Sequence, residues 1–172
     1  MYWWNYQLVV YLDQSIKIEM KNKGFTLIEL VFVFTIIGII TVVSFAAYNG
    51  FNKSQTLSTA VNDVIALFQA ARSKAVSQVK PTACTNKTLQ GYQVTLSIAA
   101  STYQLEVVCG GTTTMLEKKT LPSGVTFAAS SPTQIRFNVS TGTVASTATV
   151  TINGNSTSKQ IRIDPSGNVA TQ

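Results

Sequence analysis

The chain has 172 residues, with 13 lysines and arginines against 7 acids, a net charge of +6 and no histidine. Without histidine, the usual general base and the Ser-His-Asp arrangements are excluded. The few acids beyond residue 52 are too dispersed for a metal cage or a paired-carboxylate site, and no glycine loop of the phosphate-binding kind is present. Composition therefore points away from catalysis, metals and cofactors and towards binding.

Residues 1–19 open Met-Tyr-Trp-Trp-Asn-Tyr and include Asp13 and Glu19; they are set apart from fold reasoning. Lys21 and Lys23 then precede Gly24-Phe25-Thr-Leu-Ile-Glu29, and from Leu30 to Asn52 no residue is charged. At about 1.5 Å per residue a helix of that length crosses a hydrocarbon core of roughly 30 Å. The plainest reading is a single-pass anchor with Glu29 near the interface. An ionisable group so close to a membrane segment is costly, however, and reads as functional by default.

The run Lys21-Asn-Lys-Gly24-Phe25-Thr-Leu-Ile-Glu29 closely resembles the processing site of type IV pilins and type II secretion pseudopilins. The resemblance implies that a prepilin peptidase cuts between Gly24 and Phe25, removes residues 1–24 as a leader, and methylates the new amine on Phe25. Glycine suits such a site because an extended chain without a side chain enters a tight protease groove. Glu29 can neutralise the new amine, its own or that of a neighbouring subunit. Unpaired charges are strongly penalised in a low-dielectric setting, so Glu29 is the candidate register device for filament assembly. Met20-Lys-Asn-Lys-Gly24 is by itself an ordinary short leader, so translation is expected to start at Met20, with a longer leader as the alternative.

Lys21 and Lys23 should stay cytoplasmic, which sends the chain from about residue 53 across the membrane. With that orientation, the resemblance implies the inner membrane as location, with the head in the periplasm. Cys84 and Cys109, the two cysteines of the chain, both fall in that exported part. In an oxidising compartment they read as one disulfide, with two buried thiols as the alternative. Closing a loop of that length is worth a few kcal/mol, on the order of 3, in the chain-entropy model.

Beyond the anchor the bases are Lys53, Arg72, Lys74, Lys80, Lys87, Lys118, Lys119, Arg136, Lys159 and Arg162, against Asp63, Glu106, Glu117 and Asp164. That excess permits weak attraction to DNA or an anionic surface. The bases are scattered apart from Lys118-Lys119, so ordinary solubility charge is the favoured reading. Residues 54–79 read as an amphipathic helix: Leu57, Val61, Val64, Ile65, Phe68, Ala71, Ala75, Val76 and Val79 recur at three- and four-residue steps. Pro81 is expected to stop it. Joined to the anchor (25–52), the second half (53–80) completes one helix of roughly 50 residues.

From Pro81 to Gln172 the character changes to β. The expected strands are Tyr92–Ile98, Tyr103–Cys109, Met115–Leu121, Gly124–Phe127, Gln134–Val139, Thr147–Asn153 and Lys159–Asp164. Turns are expected at Gly110-Gly111, Ser140-Thr-Gly142, Asn153-Gly154-Asn155 and Pro165-Ser-Gly167. Such short spacing favours antiparallel neighbours. Tyr92, Tyr103, Phe127 and Phe137 are the aromatic core candidates. The fold class is α+β: a long N-terminal helix on small antiparallel sheets.

Leu67-Phe-Gln-Ala-Ala-Arg72-Ser-Lys-Ala-Val-Ser-Gln78, with Ile135-Arg-Phe137, Gly142, Val150-Thr-Ile152, Ile161-Arg-Ile163 and Gly167, is similar to the minor-pilin family that includes GspH, FimT and FimU. The resemblance implies a head of two small sheets and a low-abundance subunit near a filament tip. It also implies other minor pilins, the major pilin and the inner-membrane assembly platform as partners. One branch, FimT, binds DNA through a Gly-Arg-x-Arg motif. The corresponding residues here are Gly167-Asn168-Val169-Ala170, without either arginine. Lys159 and Arg162 are the candidate DNA contacts that remain, and the reading moves towards a FimU-like structural role.

Overall fold

The computed structural model describes residues 24–154 and 157–172. The leader, except Gly24, and Asn155 of one expected turn lie outside the described residues. Two compact units divide at Val43/Ser44. The first is the start of helix α1 (Leu27–Val76), a helix of 50 residues. In this part the large apolar side chains, from Leu27 through Val42, are exposed. The helix is long and apolar enough to cross a membrane. The hydroxyls it carries are satisfied locally: Thr35 donates to the Val31 carbonyl at 2.6 Å and Thr41 to that of Ile37 at 2.7 Å. Such back-bonding within the helix removes the cost of a lone hydroxyl in an apolar face.

The second unit joins the rest of α1 to eight strands. They are β1 (Leu89–Ser97), β2 (Thr102–Cys109), β3 (Thr112–Thr120), β4 (Val125–Phe127), β5 (Gln134–Asn138), β6 (Ala148–Gly154), β7 (Thr157–Ile163) and β8 (Val169–Thr171). Two four-stranded antiparallel sheets result, in the orders β3-β2-β1-β5 and β4-β6-β7-β8. The chain changes sheet at β4, at β5, which returns to lie beside β1, and once more at β6. All seven expected strands are present with shifted ends, and β8 is an addition. Its residues are too few for an alternation to stand out.

Period-2 alternation sets the inner faces. Tyr92, Val94 and Leu96 of β1, Tyr103, Leu105 and Val107 of β2, Ile135 and Phe137 of β5, Val150 and Ile152 of β6, and Ile161 and Ile163 of β7 are all buried. Against them pack Leu57, Val61, Val64, Phe68, Ala71 and Ala75 from one stripe of the helix. Phe68 meets Phe137 at 6.4 Å between ring centroids. Tyr103 of the first sheet meets Phe127 of the second edge-on at 6.2 Å, an aromatic tie between the sheets. All four expected core aromatics are buried.

The helix ends earlier than Pro81 implied. Gln78 has φ 51°, the Val79 N–H reaches the Lys74 carbonyl at 3.2 Å, and the Gln78 N–H reaches that of Ala75 at 3.3 Å. This is a Schellman motif closed by glutamine in place of the usual glycine, so no local signal marked it. Val76, the last helical residue, and Val79, beyond the helix end, were both expected on the apolar stripe and are exposed. The Tyr92 hydroxyl then donates to the Val79 carbonyl at 2.5 Å and pins the departing chain. Burial raises the Tyr92 pKa above its ordinary value.

Candidate functional site

At the N-terminus the chain stays non-helical through Gly24, Phe25 and Thr26. The Thr26 hydroxyl accepts the Glu29 N–H at 3.3 Å and its carbonyl accepts the Leu30 N–H at 3.2 Å. Thr26 is thus the N-cap of α1 and Glu29 occupies the third helical position, the Thr-x-x-Glu spacing of a capping box. The Gly24–Phe25 bond therefore lies in exposed, non-helical chain, with only Phe25 between it and the cap. Glu29 sits in the first turn, where the helix dipole favours a negative charge.

In the head, the last turns of α1 are locked onto two loops. The Arg72 guanidinium donates from Nη2 to the Ser166 carbonyl at 3.2 Å, while its Nε is buried without a partner. Gly142 and Gly167 both lie beneath Arg72, at φ +66° and +80°. A side chain at Gly142 would begin 2.6 Å from Val76 Cγ2. The Ser140 N–H also donates to the Ala75 carbonyl at 3.0 Å, a second bond to the acceptor that the Gln78 N–H reaches. The Asp164 carboxylate accepts the Asn168 backbone N–H at 2.9 Å and its side-chain amide at 3.1 Å. These bonds, the backbone one foremost, hold its pKa below the usual carboxylate value. So the sequence elements Arg72, Gly142 and Gly167, distant along the chain, meet at one place. Arg72 and Gly167, with Gln69, Ser73, Asn168 and Val169, line a shallow groove.

Cys84 and Cys109 are joined by a disulfide, with Cα atoms 5.4 Å apart. It ties the short 3₁₀ turn after the helix to the end of β2.

The candidate DNA contacts are not brought together. Lys159 extends back to the helix, its ammonium donating to the Ser58 hydroxyl at 3.0 Å. Arg162 alternates with buried Ile161 and Ile163, so it points to the opposite face of β7. Of the adjacent lysines in β3, Lys119 pairs with Glu117 at 3.2 Å.

A buried polar cluster on the outer face of the first sheet was not anticipated. Glu106 accepts from Gln93 at 2.5 Å, Thr95 at 2.7 Å and Gln104 at 2.6 Å. Each residue alternates with buried apolar neighbours, which marks its face in the sequence. The register Gln93↔Glu106 that unites them is long-range, and no local pattern gives it.

Two family matches agree with this architecture. Residues 60–167 match the family described as type II transport protein GspH, and residues 20–45 match the prokaryotic N-terminal methylation motif. No curated protein and no solved structure gave a match. The first match spans well over half of the chain, from the packed stripe of α1 to Gly167, and the second spans the cap at Thr26 and the apolar helix behind it. The chain belongs to the GspH/FimT family of type IV pilins and pseudopilins, structural subunits anchored by an apolar N-terminal helix and incorporated with other pilins into a pilus or pseudopilus.

Proposed function

We propose that this protein is a minor pilin that takes part in initiating a type IV pilus or assembling its tip, by binding other subunits. The observation that carries the reading is the N-terminal arrangement. A Gly24–Phe25 bond in exposed chain precedes a capped helix with Glu29 in its first turn, on an anchor whose apolar surface is bare. Prepilin peptidase cuts and methylates at Phe25. The anchor then holds the subunit in the inner membrane, head in the periplasm, until other minor pilins, the major pilin and the assembly platform draw it into the filament. A DNA-receptor role is disfavoured: Gly167-Asn168-Val169-Ala170 carries no arginine, and Lys159 is engaged with Ser58 on the face away from Arg162. Phosphate contacts supply most nonspecific affinity, and this arrangement offers few.

A second reading, minor pseudopilin of a type II secretion system, is favoured by the description of the matching family as a type II transport protein. A clean deletion strain with pilus retraction disabled separates the two. A sharp fall in sheared surface pili, reversed by complementation, is the result expected of a pilus subunit. Unchanged pili with lost protein secretion supports the pseudopilin, and a strain normal in both refutes the assembly reading.

A further inference from the structure

Two threonines inside α1 use their hydroxyls as donors to the carbonyl four residues back, Thr35 to Val31 and Thr41 to Ile37. Thr26 does the opposite. Its hydroxyl accepts the Glu29 N–H at 3.3 Å, and its carbonyl accepts the Leu30 N–H at 3.2 Å. Packing does not choose this helix start. Phe25 is 80% exposed, Leu27 82% and Ile28 71%. Beyond its chain neighbours, no described atom lies within 4 Å of where a Cβ on Gly24 would stand. The cap is therefore the local device that fixes where α1 begins.

That start has a consequence two residues upstream. Phe25 has no capping oxygen, and glycine caps about as well as threonine, so the next cap available in the sequence is Gly24. An N-cap residue gives its own carbonyl to the first intrahelical bond. A helix begun at Gly24 would engage the Gly24 carbonyl with the Ile28 N–H and draw Phe25 into the first turn. Hydrolysis of the Gly24–Phe25 bond needs that carbonyl free. Water adds to it, the C–N bond breaks, and the products are a carboxylate on Gly24 and an amine on Phe25. With the cap at Thr26, the Gly24 carbonyl lies outside the helix.

We propose that Thr26 is a positioning residue for processing: its hydroxyl sets the helix start so that the scissile Gly24 carbonyl stays out of the helix and open to the peptidase. It acts through the backbone of α1 and does not touch the reacting atoms. At a membrane boundary an unsatisfied N–H costs more than in water, which strengthens the cap. This inference rests on the processing step of the function proposed above.

The test follows cleavage of the full chain by intact mass. The chain is made in peptidase-deficient cells, and its membranes are treated with prepilin peptidase. Thr26→Ser and Thr26→Asn keep a capping oxygen, and Thr26→Val keeps the size and branching of threonine without one. Thr26→Val should be cut about fivefold more slowly than the native chain, the population change expected of a lost cap. The two capping variants should be cut at about the native rate. Carbon chemical shifts of Gly24 and Phe25, in labelled uncleaved chain in detergent, give a second readout and should move towards helical values in Thr26→Val alone. Thr26→Ala, which also lacks the oxygen, takes its place if that chain fails to accumulate. Native-rate cleavage of the uncapped variant, or unchanged shifts in it, overturns the inference. Either capping variant cut as slowly as Thr26→Val overturns it too, because the peptidase would then be reading threonine itself. In both cases the native chain is still cut and the processing reading stands. A native chain not cut between Gly24 and Phe25 overturns that reading and this inference with it.

Discussion

Gly167 rests directly on the backbone of Gly142: a side chain at Gly167 would begin 2.0 Å from the Gly142 carbonyl oxygen and 3.1 Å from Arg72 Nε. Its φ of +80° excludes ordinary residues as well. Gly167→Ala should therefore destabilise the protein by about 3 kcal/mol or more, because backbone strain and a backbone clash act together. Thermal unfolding of the purified full chain in detergent measures it. A cost within about 0.5 kcal/mol, the range of neutral surface changes, would show that the two loops move apart freely.

At Gln78 the sign reverses. Its φ of 51° is the left-handed conformation that costs an L-residue roughly 1–2 kcal/mol. Gln78→Gly should stabilise the head by about 0.5–1 kcal/mol after the added entropy of the unfolded chain is subtracted. Unfolding in the same detergent, scored as a rise in midpoint, is the check, and a fall would mean that the glutamine side chain contributes contacts of its own.

The disulfide spans a separation of 25 residues. Replacing both cysteines, Cys84→Ser with Cys109→Ser, should cost about 2–4 kcal/mol. Denaturant titration of the oxidised protein against this variant gives the number. Equal midpoints would show that the Cys109–Cys84 link adds nothing to what Tyr92 and Val79 already hold.

Asp164 supplies a pH dependence. Its carboxyl is held low chiefly by the Asn168 backbone N–H. A carboxyl lowered in the folded state stabilises it at pH above the unfolded value, ~3.9, and that contribution is lost as pH falls through the lower folded value. The stability advantage of the native chain over Asp164→Asn should be constant from neutrality to about pH 5 and shrink in stronger acid. Parallel melts across that window test it, and an advantage that grew on acidification would contradict the hydrogen-bond assignment.

Glu29→Val should leave cleavage and methylation at Phe25 unchanged and sharply reduce incorporation into sheared filaments. Thr26 still caps the helix through its own hydroxyl, which accepts a backbone N–H at residue 29 whatever the side chain. Intact mass of the membrane form and immunoblots of the filament fraction report the two properties separately. Normal incorporation would remove Glu29 from assembly.

Much of this protein was legible along the chain because its signals are local. The uncharged run after Glu29 sets the apolar helix, three- and four-residue steps set the buried stripe of Leu57, Val61, Val64 and Phe68, and alternation separates Ile135 and Phe137 from Arg136. Only tertiary structure decided which strands meet, since pairing is a long-range choice that alternation leaves open. That choice sent β5 back beside β1 and gave Glu106 its three donors. It left β3 at an edge and carried Lys159 to the helix while Arg162 turned away. The helix stop was likewise hidden, because a Schellman turn closed by Gln78 is stabilised by Tyr92 and Ser140 from elsewhere in the chain. So was the reason for two glycines: Gly142 and Gly167 look like ordinary turn residues until the fold brings them against each other and against Arg72, where there is no room for a Cβ.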